Sequence, residues 1–190
     1  MRTSGRSSSG LSRDPRRLGS FSAIVVAVPE VVQAVDGWRE RTCLAKPSLG
    51  IPPHITVLFP FIEPERLDEA VVSELGRITA RSPRFRFALD TTGRFASTLY
   101  LAPEPADPFV RLTSEIVERY PDWKPYGGAF GSVVPHLTVA EGDATVLDLA
   151  EADVQRMLPI EAEAREVLVI AATHSETRWN TIARLPLAGS

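Results

Sequence analysis

The chain has 190 residues, 44% of them hydrophobic, which suits one domain or two small lobes sharing a core. With 21 basic against 24 acidic side chains it lacks the broad basic surface that holds long nucleic acid, so any nucleic-acid contact must be local. A single cysteine, Cys43, excludes an internal disulfide and a cysteine-based zinc site and points to the cytoplasm, and no apolar run approaches the roughly 20 residues of a membrane span.

Residues 1–20 (MRTSGRSSSGLSRDPRRLGS) carry five arginines against one aspartate, with too few apolar groups to offset the entropy of ordering. A disordered basic tail is expected there. It has neither the apolar stretch of a signal peptide nor the amphipathic helix of a transit peptide, and an extended start site or a tethering arm is the other reading. Phe21 to Val28 (FSAIVVAV) is a β-branched run closed by Pro29 and reads as a buried strand. Val31, Val35, Trp38 and Cys43 then recur near helical spacing, predicting a helix from Glu30 to about Leu44. KPSLGIPP at 46–53 is a loop, His54 to Phe59 a strand, and a helix follows from about Pro64 to Ala80.

Arg84 to Leu89 alternates as a half-exposed strand does, and Thr98 to Leu101 forms another after a turn around Gly93. Asp107 to Tyr120 reads as a helix. KPYGGAFGS at 124–132 predicts a mobile rim leading into a strand that starts near His136, and it lacks the lysine and following helix of a P-loop. A helix over Ala144 to Leu158 and strands at Glu166 to Ala172 and Trp179 to Leu187 complete the chain. This order predicts a single α+β domain over 21–187: a bilobal, duplicated fold, with two mainly antiparallel sheets flanking a central cleft and helices outside.

The segments PHITV at 53–57 and PHLTV at 135–139 are near copies and hold two of the three histidines. In a strand, His54 and Thr56 share one face and Ile55 and Val57 the other; His136 and Thr138 are set against Leu137 and Val139 in the same way. The apolar pairs go to the core. Pro53 and Pro135 suit the first position of a strand, which puts each histidine near a strand end, at a cleft. Two such faces meeting across a cleft suit phosphodiester transfer. One neutral imidazole takes a proton from the attacking oxygen, the other donates one to the leaving oxygen, and the threonine hydroxyls hydrogen-bond the non-bridging oxygens. His54 and His136 are therefore the candidate catalytic residues, Thr56 and Thr138 the candidate substrate-binding residues, and no metal is needed.

Paired His-x-Thr-apolar motifs, one per half, make the chain resemble the 2H phosphoesterase superfamily, in its 2′-5′ RNA ligase-like branch. The stretch from TTGRF to TLYLAP at 91–103 is similar to that family's glycine turn and following strand, and the likeness runs over about 21–187. The resemblance implies a bilobal fold and a site of His54, Thr56, His136 and Thr138 with no metal or cofactor. It implies as partner a small nucleotide or RNA end bearing a 2′,3′-cyclic phosphate, a 2′-5′ linkage or another nucleotide cyclic phosphate, bound by a monomer. Arg94, Arg178 and Trp179 are further candidates, for gripping phosphate or stacking a base. Phe59, Phe61 and Phe130 could line a pocket or fill the core. Two alternatives stand beside this reading. One is a nucleotide- or RNA-binding module with little turnover; the other is a metal-dependent hydrolase in which His174 supplies a third imidazole to zinc.

Overall fold

The computed structural model describes residues 21–128, 133–172 and 178–189; the expected N-terminal tail, Phe130 and His174 lie outside them. Within them run β1 (Phe21–Ala27), α1 (Val32–Thr42), β2 (His54–Leu58), α2 (Glu69–Thr79), β3 (Phe85–Phe95), β4 (Thr98–Glu104), α3 (Asp107–Arg119), β5 (Leu137–Glu141), α4 (Ala144–Gln155), β6 (Ile160–Ala164), β7 (Glu166–Ala172) and β8 (Asn180–Pro186). The α+β expectation holds. α2 starts later than Pro64 because Pro64–Arg66 closes a separate 3-10 turn and Asp68 supplies the cap, its carboxylate accepting from the Val71 N–H at 2.9 Å. Asp143 caps α4 in the same way through Val146 N–H.

The strands form one sheet, not the two expected. Its order is β6-β3-β4-β5-β2-β1-β7-β8, and every neighbouring pair is antiparallel. The two motif strands β2 and β5 lie side by side at its centre, paired in register at Ile55 and Leu137 alone. That one pair joins β6-β3-β4-β5 to β2-β1-β7-β8. These groups do not follow the halves of the chain, since β7 and β8 return from the C-terminal end to pair beside β1.

β6 was not among the expected strands. Its sequence IEAEA alternates correctly, yet alanine and glutamate are weak strand formers, and the strand exists because it pairs with β3 from Phe85 to Leu89. Arg165 alone separates β6 from β7 in the chain, although five strands (β3, β4, β5, β2 and β1) lie between them in the sheet, so the sheet has to curl. The chain end stitches the curl: Leu187 N–H donates to Arg165 O at 2.9 Å, Ala188 N–H to Ser82 O at 2.9 Å and Arg84 N–H to Ala188 O at 3.0 Å.

One face of the sheet is covered by the helices. Ile24, Val26, Ile55, Val57, Leu99, Leu101, Leu137 and Val139 pack there with Leu75, Ile78, Phe109, Leu112, Ile116, Leu147 and Val154, at about 1.5–3 kcal/mol for each large side chain buried. Among the described residues the other face carries a smaller apolar cluster, Ala23, Val25, Ile51, Leu168 and Ile170, with Phe59 and Trp179 packed against it. That face is left open for chemistry.

Candidate active site

Ile55 opposes Leu137, and both are fully buried on the helix-covered face. One step along either strand reverses the face, so His54 comes beside Thr138, and Thr56 beside His136, on the open face. The four side chains line one cavity of about 330 Å³. The pairing of β2 with β5 thus does what the expected meeting of two lobes was to do.

Each ring is held by the same device. His54 Nδ1 lies 2.7 Å from Pro52 O and His136 Nδ1 lies 2.7 Å from Val134 O. A carbonyl only accepts, so Nδ1 carries the proton and Nε2 of each neutral ring is left as the base. In both motifs a proline separates that carbonyl from the histidine.

The surroundings differ. Arg39 of α1 is 2% exposed; its Nη1 pairs with Asp36 at 2.8 Å, and its Nη2 donates to the carbonyls of Ala45 (2.8 Å), Ile51 (3.1 Å) and Pro52 (3.2 Å). Pro52 O therefore serves Arg39 and His54 together. Burial, with added repulsion from Arg39 and His136, lowers the His54 pKa to about 4 against the pull of the Pro52 carbonyl. Burial lowers the His136 pKa as well, with the Val134 carbonyl opposing. Among the described residues no cation shifts the second ring.

His136 is backed by aromatics. Phe95 meets it edge-on at 5.1 Å, Tyr100 lies at 5.4 Å, and these two stack on each other at 4.5 Å. Gly93, paired opposite Tyr100, makes the arrangement possible, because a Cβ there would lie 2.4 Å from the Tyr100 ring. The glycine of TTGRF is a space left for a side chain. Tyr126 is a residue sequence reasoning missed. Its backbone takes the left-handed conformation (φ 52), its N–H donates to Phe59 O at 2.7 Å, and its side chain is hydrogen-bonded to Thr56. Its ring lies nearly parallel to His136 at 6.4 Å, and burial raises its phenol pKa. An aromatic between Pro125 and two glycines was the only available signal.

Of the other candidates, Trp179 and Phe59 line the cavity, with ring centroids 6.4 Å apart. Trp179 is anchored through its N–H to Leu49 O at 2.7 Å. Phe61 is a core residue, edge-on to Tyr120 at 5.2 Å. Arg178 is exposed and donates to Ser48 O at 2.8 Å. Arg94 does not reach the site: it stands opposite Leu99 on the helix-covered face and forms ion pairs with Asp148 at 2.8 Å and with Glu151, both on α4. A strand residue one step from Gly93 has to point away from the face on which Tyr100 lies. Among the described residues no group of three or more His, Cys, Asp or Glu side chains is placed to hold a metal ion.

The sequence matches the 2′-5′ RNA ligase superfamily over residues 27–175. The chain belongs to that superfamily. Membership places it with phosphoesterases and RNA ligase-like proteins. Solved structures similar to this superfamily member include Escherichia coli LigT in its apo form (TM-score 0.59, 18% identity, 89% of this chain and 98% of that one) and LigT with NADP+ (0.57, 17%, 90% and 98%). TT0787 of Thermus thermophilus is a third (0.55, 19%, 90% and 99%). At these identities the likeness is one of fold. Comparison with curated protein sequences found no match.

Proposed function

We propose that this superfamily member is a metal-independent phosphodiesterase, a cytoplasmic monomer acting on a nucleotide cyclic phosphate or an RNA end by two-histidine acid-base catalysis. The observation that carries the reading is the square of His54, Thr56, His136 and Thr138 on one face of two adjacent strands. In the hydrolytic direction His54 is the base: its Nε2 takes a proton from the water attacking phosphorus. Burial first, and then the nearby Arg39 cation, disfavour imidazolium at this ring, which suits a group that must start neutral. His136 is the acid, giving its Nε2 proton to the departing ribose oxygen.

Thr56 and Thr138 donate to the non-bridging oxygens. The hydrogen bond between the Thr56 and Tyr126 side chains fixes where the Thr56 hydroxyl sits beside the phosphate. Trp179 and Phe59 form an apolar wall against which a base can lie. In the joining direction the two rings exchange roles. That LigT structures exist with 3′-AMP and with ATP favours a nucleotide-sized ligand.

The test is turnover of a nucleoside 2′,3′-cyclic phosphate in excess EDTA. His54→Ala and His136→Ala should each lose about a hundred- to ten-thousandfold in kcat. Turnover abolished by EDTA and restored by zinc would make the protein a metal-dependent hydrolase instead.

A further inference from the structure

The motif strand β5 contains an irregularity with a chemical result. Tyr100 pairs with Thr138, but Leu99 pairs with Ala140, so Val139 is an extra residue opposite nothing. Val139 and Ala140 are consecutive and both fully buried. Without the bulge, position 141 would follow 137 and 139 onto the helix-covered face; with it, Glu141 returns to the open face and lines the cavity. The carboxylate is held there. Leu44 N–H donates to its Oε2 at 3.1 Å, and its backbone N–H donates to Thr42 Oγ1 at 3.2 Å, fixing it to the end of α1.

Glu141 and Arg39 are the two charged side chains among the described residues lining the cavity. Arg39 is held by Asp36 and three carbonyls, and both rings are neutral near pH 7. The one positive charge the reaction brings to a substrate is the acid imidazolium. A second negative charge on the ligand meets Glu141, which lies three residues beyond Thr138, roughly 7–10 Å along the strand.

We propose that Glu141 discriminates by charge, restricting the cleft to phosphodiester monoanions and driving out phosphomonoester dianions. The proposal rests on the hydrolytic reading above and names its substrate class. In that reaction the water oxygen bonds to phosphorus, the phosphorus bond to one ribose oxygen breaks, and that oxygen takes the proton held by His136. The product is a monoester whose second ionisation lies near pH 6, so above that pH the substrate's single charge becomes two. Glu141 acts on the difference and hastens release.

Calorimetric binding at pH 8 separates this from the catalytic reading, because it needs no turnover. The ligands are a 2′-deoxynucleoside 3′-methylphosphate, a diester monoanion, and the matching 3′-phosphate, a dianion; neither can cyclise. The native chain should bind the diester about tenfold more tightly, the size of one unit-charge repulsion at this range in a partly screened site, and the preference should shrink at high salt. Glu141→Gln should bring the ratio near one and Glu141→Asp should keep it. Equal affinities, a preference for the dianion, or a ratio unmoved in Glu141→Gln would overturn the assignment. If Glu141→Gln does not fold, the native ratio and its salt dependence decide alone. A chain that shows the ratio but never turns over a cyclic phosphate sinks the catalytic reading and leaves charge discrimination standing; a chain that binds neither ligand sinks both.

Discussion

At the scale of single residues, the two histidines share a tautomer but differ in setting, and the difference is measurable. A base that must be neutral works above its pKa, and an acid that must be protonated works below its own. With His54 lowered to about 4 and His136 lowered from its ordinary 6.5, kcat/KM should peak on the acid side of neutrality and fall on both sides. A bound phosphate anion favours imidazolium at His136, so the alkaline limb of kcat should lie at higher pH than that of kcat/KM. Profiles of both constants check this. Stability follows the same linkage. Below pH 6.5 the unfolded chain takes up a proton that folded His54 refuses, so stability is full above 6.5 and is lost as pH falls toward 4. At about 1.4 kcal/mol per tenfold change in proton affinity, the loss reaches roughly 3 kcal/mol. Urea melts of the native chain and of His54→Gln at pH 4.5 and 7.5 should show a smaller difference in the variant. Tyr126→Phe removes the hydroxyl that meets Thr56. One hydrogen bond of about 0.5–1.5 kcal/mol predicts a two- to tenfold fall in kcat/KM with the fold intact, read by steady-state kinetics beside a thermal melt.

At the scale of elements, what could be read from the letters was whatever alternates strongly. β1 and β7 are runs of β-branched residues, and each motif strand sets an apolar pair against a polar pair, so these strands were visible, as was the shared face of the four candidate residues that line the cavity. β6 was invisible because alanine and glutamate give little strand signal, and its support comes from β3, far away in sequence. Arg94 misled because the sequence does not reveal that Gly93 is spent on making room for Tyr100, which fixes which way its neighbour must face. Glu141 could not be found at all, since simple alternation assigns it to the core and only the bulge reverses that. The backbone pair Ile55–Leu137 that joins the motif strands carries two fully buried side chains. Leu137→Ala should cost about 2–5 kcal/mol in denaturant unfolding and reduce kcat as well, since Thr56, His136 and Thr138 are spaced by that pair.

At the scale of the molecule, the class of fold was legible and the number of sheets was not. The pattern of strands and helices indicates α+β, yet the union of β2 with β5 rests on one register pair, and the return of β7 and β8 beside β1 is a non-local choice that leaves no mark on local patterning. The curl has its own weak point. Leu187 is 2% exposed and ties the chain end to Arg165, so Leu187→Ala should lower stability by about 2–5 kcal/mol. Hydrogen exchange should quicken first at Arg84 and Ala188, far from the histidines, with catalytic constants changed less than the melting temperature.

The lone backbone pair between the motif strands means that His54 belongs to one half of the sheet and His136 to the other. On the proposed reading, a nucleotide held by all four side chains would span the junction like a splint, adding cohesion where the main chain supplies least. On that reading occupancy and mechanical strength rise together, so forced unfolding of the ligand-bound protein should need more force than that of the empty one.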